Sequence, residues 1–392
     1  MKRIYLDNAA TTPIDPRVSK AMRDFELEFY GNPSSIHREG QVARAKIDSA
    51  RANIAAFLNC KAQEIIFTSG ATEANNLAIQ GVISHALLDL AVKPHVITTM
   101  LEHQSVYNLI KELEEREVIE ATFIKPDKNG LIDPDDVIRA IKSNTVLISV
   151  IFVSNEIGSI LPIREIGKAL SSLPPTTYNL KPLFHTDAVQ AAKFCNLNVE
   201  KLGVDLLTLS GHKINGPKGI GALYIKSGTK IRPLIFGGSQ EYEKRPGTQN
   251  TAGIIGIAKA YNLLGSLENR QKNAEKISRL RDELLEFLSN QKRVEINGPM
   301  GDNRTADNIS FTILGADQEL IISKLDLAGI AASTGSACVS GSTKPSHVIH
   351  ALGKVGKKPA ATVRLSLCRQ NTQDEIKQVI KVLTRILQGT VS

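Results

Sequence analysis

From about residue 60 to residue 226, short runs of aliphatic and β-branched residues alternate with longer stretches in which apolar positions recur every three or four residues. The runs Ile65 to Thr68, Val96 to Thr99, Val146 to Val153, Leu183 to Thr186, Leu206 to Leu209 and Ala222 to Ile225 predict strands. Ile47, Ala50, Ile54 and Phe57 share one face of a helix that precedes them. Such alternation predicts an α/β fold with a mostly parallel sheet, because parallel neighbours need a crossover that a helix usually supplies. Beyond Gly256 the pattern changes to a long charged helix ending near Leu288, a strand over Ile309 to Ile313, a helix over Glu319 to Leu327 and a closing helix over Asp374 to Leu387. This predicts a second, smaller α+β domain, with the boundary near residue 265. No internal repeat or low-complexity segment interrupts the pattern.

The chain has 392 residues, more than one hydrophobic core usually serves, which agrees with two domains. Its 42% hydrophobic and 22% charged residues exclude a disordered or fibrous protein. The basic pair Lys2-Arg3 has no apolar run behind it, so no secretory signal is expected, and no segment approaches the roughly 18 apolar residues of a membrane span. The expected location is the cytoplasm, with no membrane association. Cys60, Cys195, Cys338 and Cys368 form no Cys-x-x-Cys pair, which argues against a structural metal or a disulfide framework and for free thiols. The net charge of +8 lies partly between Arg270 and Arg293, and a basic surface can attract nucleic acid or an acidic partner. Glu275, Asp282, Glu283 and Glu286 break that stretch, and no nucleic-acid motif accompanies it, so a solvated helix face is expected and direct nucleic-acid binding is not.

Ligands of open α/β sheets gather beyond the carboxyl ends of the strands, so the loops that follow the predicted strands carry the candidate chemistry. They read Ser69-Gly70-Ala71-Thr72-Glu73, Glu102-His103-Gln104, Ser154-Asn155-Glu156-Ile157-Gly158, Asp187-Ala188-Val189-Gln190 and Ser210-Gly211-His212-Lys213, the last followed by Gly216-Pro217-Lys218-Gly219. Singly, each is ordinarily a cap, a packing residue or a surface charge. Together they offer an anion cradle at a helix N-terminus, an imidazole, an amide, a carboxylate and an amine. Pyridoxal phosphate needs those groups at once: a lysine for a Schiff base, a carboxylate to keep the pyridine nitrogen protonated, and donors for the phosphate.

Those loops, with Leu6-Asp7-Asn8-Ala9-Ala10-Thr11-Thr12-Pro13 and Gly31-Asn32-Pro33-Ser34-Ser35, resemble the group I (NifS/IscS-like) cysteine desulfurases, class V pyridoxal-phosphate-dependent aminotransferases. The resemblance runs nearly end to end. It implies fold type I: a large domain over 16–264 with a mostly parallel seven-stranded sheet, and a small α+β domain from 1–15 and 265–392. It implies that Lys213 forms the Schiff base, that Asp187 pairs with the ring nitrogen, and that His103 stacks on the ring and assists proton transfer. Gln190 would bond the ring hydroxyl, and Asn155 would contact cofactor and substrate. Ala71, Thr72, Ser210 and His212 would hold the phosphate. Thr248, in Arg245-Pro246-Gly247-Thr248-Gln249, would reach the phosphate of a partner subunit, which implies a homodimer. Arg364 would grip the substrate carboxylate with a planar fork that lysine does not reproduce.

The cofactor alone leaves transamination, decarboxylation and elimination open. Cys338, in Ser333-Thr334-Gly335-Ser336-Ala337-Cys338-Val339-Ser340-Gly341-Ser342, narrows the choice. A cysteine among small residues packs little apolar area, and such a segment suits a thiol that must meet a substrate and then an acceptor. By the resemblance, Cys338 takes sulfur from L-cysteine as a persulfide, releases L-alanine, and passes the sulfur to an acceptor such as an iron–sulfur scaffold or a tRNA-thiolation enzyme. No resident metal is implied, although Cys338 could transiently ligate an iron–sulfur cluster. Val339 departs from the polar residue that many relatives carry after the cysteine. The competing readings are a selenocysteine lyase or another fold-type-I enzyme, which would not depend on Cys338, and a basic RNA-associated or scaffold protein with a vestigial cofactor site, which would lack the yellow chromophore.

Overall fold

The structure, a computed structural model, describes residues 3–89, 92–173, 181–335, 346–354 and 360–389. In chain order the elements are β1 (Ile4–Tyr5), α1 (Pro16–Glu28), α2 (Arg38–Leu58), β2 (Ile65–Thr68), α3 (Ala71–Asp89), β3 (His95–Thr99), α4 (Gln104–Glu115), β4 (Glu120–Ile124), α5 (Pro134–Arg139), β5 (Thr145–Ser149), α6 (Ile163–Ser171) and β6 (Leu183–Asp187). They continue with α7 (Val199–Leu202), β7 (Leu206–Ser210), β8 (Gly221–Ile225), α8 (Thr251–Leu264), α9 (Leu267–Ser289), β9 (Val294–Ile296), β10 (Asn308–Leu314), α10 (Gln318–Leu327), β11 (Ile330–Ala331), α11 (His347–Ala351), β12 (Ala360–Ser366) and α12 (Gln373–Gly389).

The fold is α/β, organised on a seven-stranded sheet in the order β2-β8-β7-β6-β5-β3-β4. All neighbours run parallel except β8, which is antiparallel to both β2 and β7. Side chains alternate across it: Ile65, Phe67, Ile97, Leu207 and Leu209 enter one core cluster, while Ile66, Val96 and Leu206 enter another on the opposite face. The first is filled from α2 and α8 by residues such as Ile47, Ile54 and Ile257, the second from α3 and α4 by Leu77, Ile79, Val106 and Ile110. Polar residues inside the sheet pair across strands. The His185 ring lies between Ser149 Oγ at 2.8 Å and Thr208 Oγ1 at 3.1 Å, and burial pushes its pKa down to about 3, so it is a neutral bridge.

A second core surrounds the antiparallel sheet β12-β10-β9, where Phe311, Ile313 and Val363 meet Ile277, Leu284 and Leu288 of α9 and Val379 and Leu383 of α12. The start of the chain belongs to this core. Ile4 and Leu6 are buried there, β1 runs parallel to β11, and Asp7 bridges to Ser366. Residues 9–12 then cross to the loop after β7, where Thr12 N bonds the His212 carbonyl at 3.0 Å.

Several sequence boundaries shift. The regular ladder of β5 ends at Ser149 rather than Val153; Val150 and Phe152 keep single bonds to the carbonyls of His185 and Asp187 as the chain turns toward residues 155–156. The single long helix is two helices, because Gly265 takes φ +73° and Ser266 caps α9 through a bond from Asn269 N. Strands β1, β4, β9, β11 and β12 have no counterpart among the runs that the sequence pattern predicts.

Candidate active site

A cavity of about 560 Å³ opens at the carboxyl ends of β2, β3, β5, β6 and β7, a volume typical of small-molecule sites. Its wall includes Ala71, Thr72, His103, Asn155, Asp187, Gln190, Ser210, His212, Lys213 and Arg364. Loops more than 100 residues apart in sequence therefore converge, as expected where parallel strands end together.

Lys213 stands on the tight connection between β7 and β8. That turn closes with Gly216 N on the Gly211 carbonyl at 3.0 Å, and a Cβ on Gly216 would come within 2.7 Å of the same oxygen. The Lys213 amine donates to the carbonyls of Ala9 at 2.7 Å and Ala10 at 2.6 Å. Gln190 Nε2 shares the Ala9 carbonyl at 3.0 Å. The crossing N-terminal segment thus seats the amine.

Asp187 is the last residue of β6. Its Oδ1 accepts from Val189 N at 3.0 Å and its Oδ2 from Asn75 Nδ2 at 2.8 Å. Asn75 also donates to Ser105 Oγ at 2.8 Å, and that hydroxyl lies 2.8 Å from His103 Nδ1. Ser105 N–H donates to the same ring nitrogen, which places the proton of the neutral imidazole on Nε2. Burial lowers the His103 pKa, opposed by the Asp187 charge and reinforced by Lys213. Asn75 and Ser105 carry no motif in the sequence, yet they join the carboxylate to the imidazole.

At another side of the cavity, α3 begins at Ala71 with its N-terminal amides toward the space. Glu73, also on the wall, accepts from Ser69 N at 2.8 Å and from Arg245 Nε at 2.8 Å. Ser210 Oγ is buried with no partner among the described residues. The His212 ring bonds Thr11 Oγ1 at 3.2 Å, and burial followed by the Lys213 charge pushes its pKa down to about 4. Thr248 does not line this cavity; it lines a smaller neighbouring one of about 230 Å³ that shares Ser69, Gly219 and Ile220.

Arg364, only 1% exposed, reaches the cavity from β12. Its Nη1 donates to the Asn155 carbonyl at 3.0 Å, its Nη2 to Asp7 Oδ1 at 3.0 Å, and its Nε has no partner among the described residues. Glu156, 4% exposed, also lines the space; burial pushes its pKa up to about 7, and its Oε2 accepts from Ser346 Oγ at 2.5 Å. Beneath His103, Glu102 is 1% exposed and its pKa is pushed up to about 8, first by burial. Neither glutamate stood out in the sequence, where each is one acidic residue beside a better candidate.

Cys338 lies outside the described residues, in the segment 336–345. The other cysteines are free thiols, and burial pushes Cys60 and Cys195 up to about 12 and raises Cys368, which makes all three poor nucleophiles near neutral pH. The cavity fits pyridoxal phosphate on its own chemistry. An amine, a doubly bonded carboxylate, a neutral imidazole and an unsatisfied hydroxyl beside a helix N-terminus supply its partners, and the unpartnered Arg364 Nε leaves a donor for a substrate carboxylate.

The aminotransferase class-V family profile matches residues 4–379. A protein of Dictyoglomus turgidum named cysteine desulfurase IscS is 44% identical over 99% of this chain and 95% of its own length. One of the same name from Methanosarcina thermophila is 41% identical, covering 99% of this chain and 92% of its own. Among solved structures, a NifS-like protein superposes with a TM-score of 0.88 at 32% identity, covering 98% of this chain and 99% of its own. The structure titled SspA in complex with cysteine superposes with a TM-score of 0.79 at 33% identity, covering 94% of this chain and 100% of its own.

Proposed function

Because the chain belongs to the aminotransferase class-V family and is a pyridoxal-phosphate-dependent cysteine desulfurase, we propose that it carries the sulfur of L-cysteine as a persulfide on Cys338. The observation that carries this reading is the convergence of Lys213, Asp187, His103 and Arg364 on one cavity. When bound, the cofactor supplies an electron sink for the bond electrons freed at the substrate Cα. Lys213 would hold the cofactor's aldehyde carbon. Asp187, fixed by Asn75 and Val189, would keep a proton on the ring nitrogen, and Gln190 and Asn155 would bond the ring's polar edge. His103 would lie against the ring and move protons through Nε2. Ala71, Thr72, Ser210 and His212 would bind the phosphate. Arg364 turns its unpartnered Nε to the substrate carboxylate. The Cys338 thiolate attacks the substrate sulfur, the Cβ–S bond breaks, and the freed electron pair takes up a proton to give alanine. L-cysteine and one thiol thereby become L-alanine and one persulfide.

The proposed assembly is a homodimer in which Thr248 serves the partner's phosphate. Its support is the exclusion of Thr248 from its own chain's main cavity, together with exposed apolar side chains at Tyr30 (80%), Ile36 (92%) and Phe236 (79%). Residues 16–264 would form the large domain, and 1–15 with 265–392 the small one; the second core draws its members mainly from the latter, while Val348, Ile349 and Leu352 pack into the first core. The sulfur would go to an iron–sulfur scaffold or a tRNA-thiolation enzyme. A cytoplasmic setting suits the free thiols; no described helix is long and apolar enough to cross a membrane.

The deciding experiment uses the purified holoenzyme. Borohydride should fix the cofactor on Lys213, and L-cysteine with a reductant should yield alanine and sulfide. Cys338→Ser should stay yellow while sulfide release collapses; undiminished turnover by that variant overturns the persulfide reading.

A further inference from the structure

Both described ends of the segment bearing Cys338 meet one buried carboxyl. On the entry side, Ser333 forms a two-bond bridge with Arg364, Ser333 N to the Arg364 carbonyl at 3.1 Å and Arg364 N to the Ser333 carbonyl at 2.7 Å. Two residues on, Gly335 packs so closely on Glu156 that a Cβ there would lie 3.0 Å from Glu156 Oε2. On the exit side, Ser346 Oγ donates to the same Oε2 at 2.5 Å and accepts from Val348 N at 3.1 Å, which starts α11. The next residue, His347, bonds the Glu102 carbonyl at 3.0 Å and stacks on Tyr107 with ring centroids 4.1 Å apart. Glu156 directly follows Asn155, whose carbonyl receives Arg364. One side chain on the cavity wall therefore stands between both ends of the segment and adjoins the residues that face the substrate carboxylate.

We propose that Glu156 is a positioning residue for the sulfur-transfer step, its carboxyl pinning both ends of the Cys338 segment to the wall of the substrate cavity. This rests on the persulfide reading above. The reach of a tethered thiol depends on where its tether is fixed, and a misplacement on the order of 1 Å at a reacting pair costs about 100-fold in rate. Ordinary structural burial of Glu156 would instead show as a general loss of fold or of cofactor. An uncharged acceptor suffices for the Ser346 bond, so an amide at position 156 should restore the function.

The test is a rapid-mixing single turnover of holoenzyme with L-cysteine, comparing wild type, Glu156→Ala, Glu156→Gln, Ser346→Ala and Cys338→Ser. Persulfide on Cys338 is read by alkylation and mass spectrometry, alongside the cysteine-induced absorbance change and KM. Glu156→Ala and Ser346→Ala should keep the absorbance change and a KM within about threefold, while persulfide formation slows by at least about tenfold. Glu156→Gln should return the rate to within about threefold of wild type. Wild-type persulfide rates in both alanine variants overturn the proposal, as does a loss of colour with a rise in KM and a parallel fall in rate. If Glu156→Ala does not fold, Ser346→Ala, which removes one hydroxyl, decides alone. Undiminished sulfide release by Cys338→Ser would strike the persulfide reading itself, and is told apart from failure at Glu156 because that variant leaves the anchor intact.

Discussion

Glu102 offers a stability test that isolates one buried group. Its Oε1 accepts from Thr99 Oγ1 and Ile151 N, each at 2.8 Å, while Oε2 is buried without a partner among the described residues. Burial, helped by the Asp187 charge, raises its pKa from 4.5 to about 8 in the folded protein. Below the unfolded pKa both states hold the proton and the group is neutral to stability. Between the two values only the unfolded chain releases it, so stability falls by about 1.4 kcal/mol per pH unit. From about pH 5.5 to about pH 8.5 the loss assigned to this carboxyl alone is about 3 kcal/mol. Glu102→Gln abolishes the titration. Urea unfolding of the wild-type and Glu102→Gln holoenzymes at both pH values gives a difference of differences, in which the other groups and the fixed cost of the amide cancel. The variant should gain about 3 kcal/mol on the wild type as pH rises. A flat or falling difference would refute a neutral carboxyl beneath His103.

Three further outcomes follow from the geometry. Asn75→Ala strips one bond from the Asp187 carboxylate, a loss of about 1.5–3 kcal/mol, and should weaken cofactor retention roughly 10- to 100-fold in an absorbance titration. Arg364→Lys cannot reproduce the two fixed bonds to Asn155 and Asp7 while offering a third donor, so KM for L-cysteine should rise by about tenfold or more with a smaller change in kcat. Arg51→Met leaves Glu241 buried without its bidentate partner at 2.7 Å and should destabilise the protein by about 3–5 kcal/mol in urea.

The central parallel strands were legible because strands buried on both faces read as continuous apolar runs, and β3, β6 and β7 fall within a residue of their sequence limits, as antiparallel β2 and β8 also do. Edge strand β4 was not, since only Ile124 of Glu120–Ile124 is buried and the charged start hides the run. In β12, Arg364 and two leading alanines mask a strand whose arginine belongs to the cavity rather than to solvent. The lining of the cavity was readable where a polar side chain follows a strand, as at Asp187 and Lys213. It was opaque where the work falls on backbone or on a helix interior: the carbonyls of Ala9 and Ala10 have no residue signature, and Asn75 is one amide in the first turns of α3.

The strap formed by residues 4–12 also sets a timetable. Ala9 and Ala10 are made more than 300 residues before what pins them: Ile4 and Leu6 bond the carbonyls of Gly329 and Ala331, and Asn8 bonds that of Ser366. Until residues 329–366 have been synthesised, the seat of the Lys213 amine lacks its anchor, however early the seven-stranded sheet forms. The nascent protein can thus own a complete seven-stranded sheet and still lack what seats the Lys213 amine, so that seat is completed only after the sheet.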